Sequence, residues 1–348
     1  MLVFITPWPH EARLFLVTDE PALMPSPKTM QAVQVNDGKL QLAPAQIAGP
    51  GPHEVLIEVA ISGLNRADLA QRTGAYPPPP GASPILGLEV AGTVIEAGEG
   101  TTRFKPGDRV IALLAGGGYA RLALADEGSV LPLPDGLDFR AGGCFAEALM
   151  TVWANVFDRA GLKLGETFLC HGGTSGIGVM ALQMAREAGA GKILATAGND
   201  EKCALVRSLG AHRAINYKTE DFSEIVRAEG GADVILDMVG GEYIQKNIAA
   251  ARLDGRIINI AYQNGFQAEV NFAPVLMKRL TLAATTLRAR SLPEKRRIRD
   301  AVERDFWPGV VTGRIRPVID QVFPASEAEI AHQRMASGQH AGKILLQW

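Results

Sequence analysis

Gly173, Gly176 and Gly178 fall within the run His171-Gly172-Gly173-Thr174-Ser175-Gly176-Ile177-Gly178, directly after an apolar stretch, Thr167–His171, and at the opening of a helical pattern, Gly176–Ala188. Without Cβ atoms at these spacings the backbone can turn sharply and come close to a pyrophosphate. A helix opening at Gly176 offers free N–H groups and a partial positive charge to such an anion, and Thr174 and Ser175 add hydroxyl donors. The same glycines would also serve a tight strand–helix turn with no ligand. Context decides between the two, and here the loop lies inside a series of strand–helix units. Dinucleotide binding by Gly173, Thr174, Ser175, Gly176, Ile177 and Gly178 is therefore expected.

The next strand ends Ala195-Thr196-Ala197-Gly198-Asn199. A site for NAD carries Asp or Glu here, about 20 residues after the loop, to hold the ribose 2′-hydroxyl. Gly198 offers backbone instead of a carboxylate. Lys202, one turn into the following helix, can reach a 2′-phosphate as a point charge, and Tyr217 can flank that phosphate or the adenine. A plain solvated lysine is the competing reading of Lys202, and Asp200 and Glu201 are contrary signals. The expected cofactor is NADP(H).

Other chemistries find less support. Cys144, Cys170 and Cys203 are too few and too scattered for a disulfide framework or a four-cysteine zinc site, and a reducing cytoplasm suits them. No Ser–His–Asp or Cys–His arrangement stands out. Of six histidines His10 lies near the N-terminus and the rest are scattered; His171 reads as a packed strand-end residue and Cys170 as core. Lys+Arg number 35 and Asp+Glu 37, a formal net charge of −2, which argues against a general nucleic-acid binder. The basic run Arg288, Arg290, Lys295, Arg296, Arg297, Arg299 reads as a solvated helix face, with an anionic substrate or RNA as the alternative partner. No apolar run approaches the roughly 20 residues that cross a bilayer.

The elements that must position these residues follow from periodicity. With 348 residues, 47% of them hydrophobic, the chain has the length of about two domains. Residues 1–29, punctuated by Pro21, Pro25 and Pro27, read as a loose extension, with the body beginning near Met30. From there to Cys144 short strands and turns dominate; Glu54–Ile61 alternates, with Val55, Ile57, Val59 and Ile61 apolar. After Ala146 the period changes. Helices are expected at Glu147–Arg159, Gly176–Ala188, Asp200–Leu209, Asp221–Ala228, Glu242–Ala251 and Lys295–Phe306. Strands are expected at Thr167–His171, Lys192–Ala197, Ala214–Asn216, Asp233–Asp237, Arg256–Ile260 and Leu280–Thr285. Such alternation predicts a parallel, doubly wound sheet, an α/β fold. Ser326-x-x-Glu329 reads as a capping box, and Lys343–Leu346 as a closing strand.

Taken together, Asn65-Arg66-Ala67-Asp68-Leu69, Gly74-Ala75-Tyr76-Pro77, Leu86-Gly87-Leu88-Glu89-Val90-Ala91-Gly92, Phe104–Val110, the glycine loop, Ile215-Asn216-Tyr217, Asp233–Gly241, Lys278–Thr281 and Gly342-Lys343-Ile344 make the chain, from about Met30 onward, resemble the zinc-free quinone oxidoreductases of the medium-chain dehydrogenase/reductase superfamily, closest to the p53-inducible quinone oxidoreductase-like branch. The resemblance implies a GroES-like β-barrel domain from both chain ends (30–146 and 290–348) with a Rossmann domain (147–289) inserted, and a substrate cleft between them. Zinc relatives place Cys near Asn65 and His in a Gly-His-Glu stretch. Here Leu88 replaces the imidazole, and Cys144, Glu89 and Glu147 make a poor zinc set without His, so no metal is expected. Quinones, already electrophilic, need mainly proximity and orientation. By resemblance Asn65 and Tyr76 face the nicotinamide and substrate; Tyr76 can donate to a quinone oxygen and stack on it. Thr151, taken to lie at a helix start, contacts nicotinamide in relatives. Ile260 and Ala261 end a strand where backbone can bind the carboxamide, and Leu287 and Lys343 are carried over as cofactor contacts. A homodimer through Leu280–Thr285 is implied. The reading is an NADPH-dependent quinone reductase transferring a hydride or single electrons. The alternatives are an enoyl or enone reductase with Tyr76 as donor, and an NADPH-binding structural or RNA-binding protein.

Overall fold

In the computed structural model, which describes residues 27–348, two large sheets carry the molecule. The expected extension 1–29 lies, with His10, almost wholly outside the described residues. The first strand runs Lys28–Asn36, ahead of Met30, and pairs with Lys39–Ile47, a strand the periodicity did not reveal.

One large sheet is mainly antiparallel. Across it lie Ile319–Pro324, Lys343–Gln347, Glu54–Gly63, Glu89–Ala97, Arg109–Leu113 and Val130–Pro132, and Leu122–Asp126 pairs with the first half of Glu54–Gly63. Val55, Ile57, Val59 and Ile61 are all buried and Glu58 is exposed, as the alternation predicts; Leu56 is buried too, so this central strand is covered on both faces. Its ladder to Glu89–Ala97 shifts register between Leu56 and Ile57 and between Val59 and Ile61, irregularities that curl a sheet toward a barrel. The last strand of the chain joins this sheet, pairing Leu345 with Gly63 and Leu346 with Ser62.

The other sheet is parallel, in the order Arg213–Asn216, Lys192–Ala197, Thr167–Cys170, Ala232–Asp237, Ala251–Asn259, Thr281–Ala284. The fold is thus a GroES-like barrel with a doubly wound Rossmann sheet. The helix Gly176–Glu187 is buried without a break from Gly178 to Ala185, because it packs on the sheet with one side and on Ala146–Val152 with another.

Several local expectations are corrected. The stretch Glu147–Arg159 is an α-helix only over Ala146–Val152 and widens to a π-helical turn over Trp153–Arg159, so Thr151 sits in the last turn of the α-helix and not at its start. A helix at Arg66–Arg72 was missed; the Asp68 carboxylate accepts the Asn65 N–H at 2.8 Å, and Asn-x-x-Asp is the signal that would have found it. The capping box at Ser326 and Glu329 does not form: Glu329 accepts the Leu40 N–H at 2.9 Å and pairs with Arg72. The helix expected at Lys295 begins at Leu292, capped by Ser291. The basic run is a solvated face only in part: Arg288, Lys295 and Arg299 are buried, while Arg290, Arg296 and the exposed Arg297 pair with Glu294, Asp126 and Asp158. No helix among the described residues is long and apolar enough to cross a membrane.

Candidate active site in the cleft

A cleft of about 1520 Å³ is lined by residues of both sheets. Its floor is the glycine loop. Gly172, at φ +63°, turns the chain out of Thr167–Cys170. The expected glycines then serve three different ends. A Cβ on Gly173 would stand 2.9 Å from Val206 Cγ2, one on Gly178 2.3 Å from the Gly172 carbonyl oxygen, and one on Gly176 2.5 Å from Lys343 Cδ. Thr174, Ser175, Gly176 and Ile177 line the cleft; Gly173 and Gly178 do not, and act by letting the helix close on the loop. Ser175 Oγ caps the helix by accepting the Gly178 N–H at 2.9 Å. That leaves the Ile177 amide without a hydrogen-bond partner among the described residues, and the Gly176 amide with only the loose bridge between Ser175 and Gly342, at the positive end of a 12-residue helix. Donors in that setting fit a dinucleotide pyrophosphate.

At one end of the cleft lie Gly198, Lys202 and Tyr217. The Tyr217 hydroxyl stands 2.8 Å from where a Gly198 Cβ would be, so the missing side chain makes room for the ring. Lys202 Nζ donates to the Gly338 carbonyl at 3.0 Å. Two residues that sequence reasoning missed join them. Arg66 lines the cleft, exposed and without a hydrogen bond or salt bridge to any described residue. His340 lines it too; burial, with Arg66, Lys202 and Arg334 nearby outweighing Asp320's opposite pull, lowers its imidazole to about 4.

At the other end Asn65, Tyr76, Leu88, Glu147, Thr151, Leu287, Arg288 and Lys343 come together. The Asn65 side chain is committed: Nδ2 donates to Glu89 Oε1 at 3.0 Å and Oδ1 accepts Lys343 Nζ at 2.8 Å. Lys343 also donates to the Leu64 carbonyl at 2.7 Å and to Glu89, which uses all three ammonium donors. Its stem rather than its charge faces the loop. Tyr76 is pinned by Arg288, whose guanidinium lies 5.4 Å from the ring centroid and donates to the Tyr76 carbonyl at 3.2 Å; the Tyr76 hydroxyl has no partner among the described residues. Burial and the Glu147 carboxylate raise that phenol above its ordinary range. Glu147 itself, raised to about 7 by burial and then by Glu89, was not anticipated as a functional residue, although a lone carboxylate in the apolar run Cys144–Met150 was a signal. Ile260 and Ala261 follow the strand end at Asn259; the Ile260 N–H is fixed on the Asp237 carbonyl at 2.8 Å. His171 is packed away from the cleft, its Nε2 2.7 Å from Asn247 Oδ1 and its ring against Phe222 and Tyr243.

Leu88 faces this end of the cleft, Cys144 donates to the Arg140 carbonyl at 3.3 Å, and among the described residues no group of three or more His, Cys, Asp or Glu is placed to hold a metal ion.

Comparison with known proteins gives this geometry a family. Residues 51–158 match the alcohol dehydrogenase GroES-like domain and residues 176–304 the zinc-binding dehydrogenase domain. The chain is 30% identical to a quinone oxidoreductase of Rattus norvegicus over 86% of this chain and 91% of that one, and 32% identical to a quinone oxidoreductase of Lama guanicoe over 92% and 98%. Among solved structures it superimposes on an NAD-dependent alcohol dehydrogenase (TM-score 0.78, 27% identity, covering 92% of this chain and 100% of that one) and on the CurK enoyl reductase (TM-score 0.78, 26% identity, covering 92% and 99%). With the two matched domains, the open Ile177 amide on the glycine loop and Leu88 where zinc relatives keep histidine, the chain belongs to the zinc-free quinone oxidoreductase family of the medium-chain dehydrogenase/reductase superfamily, oxidoreductases that use a pyridine nucleotide.

Proposed function

We propose that this protein is an NADPH-dependent quinone reductase. One observation carries the reading: the carboxylate beside Leu88, Glu89, is spent on Lys343 and Asn65. Among the described residues the cleft therefore presents no side-chain set suited to activating an alcohol through a metal, and an acceptor that is electrophilic by itself suits it.

Each residue then has a task. The Gly176 and Ile177 amides and the Thr174 hydroxyl bind the pyrophosphate, with Gly173 and Gly178 permitting the close packing beneath. Gly198, Lys202 and Tyr217 take the adenosine end, and Lys202 and Arg66 supply positive charge for a 2′-phosphate. Thr151, Ile260, Ala261 and Leu287 enclose the nicotinamide, while Asn65 and Lys343 fix the wall against which it rests. When bound, the reduced nicotinamide supplies a hydride. Tyr76, held by Arg288, stacks on the flat acceptor and donates to its oxygen. We also infer a homodimer through Thr281–Ala284, the edge strand of the parallel sheet among the described residues, beside which Leu276 is 78% and Phe272 64% exposed, an apolar edge of the kind proteins cover.

The test is a panel of 1,2-quinones, 1,4-quinones and 2-enoyl thioesters with NADPH. Turnover of quinones is expected. Turnover of enoyl thioesters alone would replace the reading with enoyl reduction, and tight NADPH binding with no turnover would replace it with a non-catalytic role. For the dimer, Leu282→Lys should shift the sedimenting species toward the 37.1 kDa protomer.

A further inference from the structure

We propose that Glu147 is the proton donor that completes reduction in this cleft, delivering its carboxyl proton to the oxygen of the reduced acceptor. The inference rests on the quinone reading and names a group that reading leaves unused.

Position comes first. Glu147 lies in the first turn of Ala146–Val152 and lines the cleft beside Tyr76 and Leu88. Its Oε1 accepts the Thr151 hydroxyl at 3.2 Å, and Oε2 has no hydrogen-bond partner among the described residues. No cation among the described residues pairs with it. Lys343, which acts on it through charge, is turned onto Glu89, whose other oxygen accepts the Glu147 N–H at 3.1 Å. A carboxyl in this setting is acted on by Glu89 from one strand, Asp68 from the helix Arg66–Arg72, Lys343 from the last strand, Tyr76 and Arg288 along the cleft, and the buried Lys295 of the helix Leu292–Asp305 packed against its own. Burial and the Glu89 carboxylate outweigh the Lys343 charge and the Thr151 hydrogen bond, leaving Glu147 titrating at about 7. A general acid works best when it holds its proton near the working pH. Tyr76, raised above its ordinary range, keeps its proton throughout and serves better as a hydrogen-bond donor.

The balance is simple. A hydride added to one quinone oxygen forms the first O–H bond with its own electron pair, and the C=O π pair it displaces passes through the ring to the opposite oxygen, which becomes a phenolate. The O–H bond of Glu147 breaks and a new O–H bond forms on that phenolate, giving the hydroquinone. The Glu147 carboxylate that remains takes its next proton from water.

Two measurements test this on the full chain. The first needs no cofactor: in an infrared pH titration, the wild type shows two protonated-carboxyl components, one fading at about 6 from Asp68 and one fading near neutrality, and only the second is missing in Glu147→Gln. A second component unchanged in the variant would overturn the proposal. The second is the pH dependence of kcat with NADPH and a 1,4-quinone. The wild type loses rate as pH rises through the Glu147 range. Glu147→Gln loses that limb and about 100-fold in kcat, the low end for a positioned acid, with KM changed far less, while Glu147→Asp restores a limb at another pH. An unchanged limb in Glu147→Gln, with kcat within about 2-fold, would overturn the proposal. Should Glu147→Gln not fold, Thr151→Val removes the hydrogen bond that lowers the carboxyl, so the limb moves to higher pH; no movement counts against Glu147. A wild type that reduces no quinone overturns the quinone reading and the acceptor named here, while the infrared band still reports whether Glu147 holds the proton.

Discussion

Lys343 donates to Glu89 with neither side chain more than 4% exposed, and the same lysine packs its stem over Gly176. One residue at the start of the last strand thus ties that strand to the strand of Glu89 and to the glycine loop. The contact is reinforced by the backbone, where the Gly342 N–H donates to the Thr174 carbonyl at 2.6 Å.

Removing the lysine leaves Glu89 buried without a counter-charge. Lys343→Met is expected to cost ~3–5 kcal/mol, the range for breaking one side of a buried pair, read as a lower urea midpoint. The double variant Lys343→Met/Glu89→Gln should recover most of that loss because it leaves no bare charge. Equal losses in the single and double variants would mean that the lysine acts through packing alone.

Gly173→Ala and Gly176→Ala should separate folding from binding. The Gly173 Cβ would press on Val206 and Ala195 at 2.9 and 3.0 Å, away from the cleft. Its cost is stability, ~1–3 kcal/mol as for overpacking, with NADPH affinity little changed. The Gly176 Cβ would meet Lys343 Cδ at 2.5 Å on the cleft floor. It should weaken NADPH by about 10-fold or more, since ~1.4 kcal/mol of misplacement is enough for that. Fluorescence titration beside thermal melts distinguishes the two; an identical pattern would show that both glycines serve only packing.

What could be read from the chain was local. Val55, Ile57, Val59 and Ile61 announce a half-buried strand by alternation, and the glycine loop announces itself by strand and helix on either side. What could not be read depended on distant partners. Arg288 looked like one charge of a solvated run, yet it donates to the carbonyls of Ala115 and Tyr76 and to Gln71, more than two hundred positions away for the last two. Ser326 and Glu329 carry the letters of a capping box, but Leu40 and Arg72 outcompete the helix end for the carboxylate. Lys343 was placed in the site by resemblance, and only its three hydrogen-bond partners reveal that its charge is already neutralised.

Lys202→Ala should act on one coenzyme and spare the other. Its ammonium rests on the Gly338 carbonyl at 3.0 Å, beside Arg66 and His340. A charge-assisted hydrogen bond is worth ~1.5–3 kcal/mol, so NADPH should bind about 10- to 100-fold more weakly while NADH is unchanged. Calorimetric titration with both coenzymes measures this directly. Equal losses for the two would place the lysine away from the 2′ position.

Stability against pH should turn on a buried chain of three side chains. The Tyr119 hydroxyl donates to Asp68 Oδ2 at 3.0 Å and lies 3.2 Å from His332 Nε2. Burial, with Arg72 adding to it, lowers His332 from 6.5 to about 4. The folded protein keeps this ring neutral where the unfolded chain protonates it, so its contribution is whole above pH 6.5 and is lost as pH falls through about 4. Asp68 runs the opposite way. Burial raises it from 3.8 to about 6, so its contribution is whole below 3.8 and is lost as pH rises through about 6. Between those limits the two slopes oppose each other in the wild type. His332→Phe removes its own rising slope, while those of Asp68, Glu147 and His340 are common to both proteins and cancel in the comparison. Relative to wild type the variant should lose on the order of 2–3 kcal/mol between pH 4 and pH 7, measured as urea unfolding free energies across that range; parallel profiles for the two proteins would mean that the fold does not lower His332.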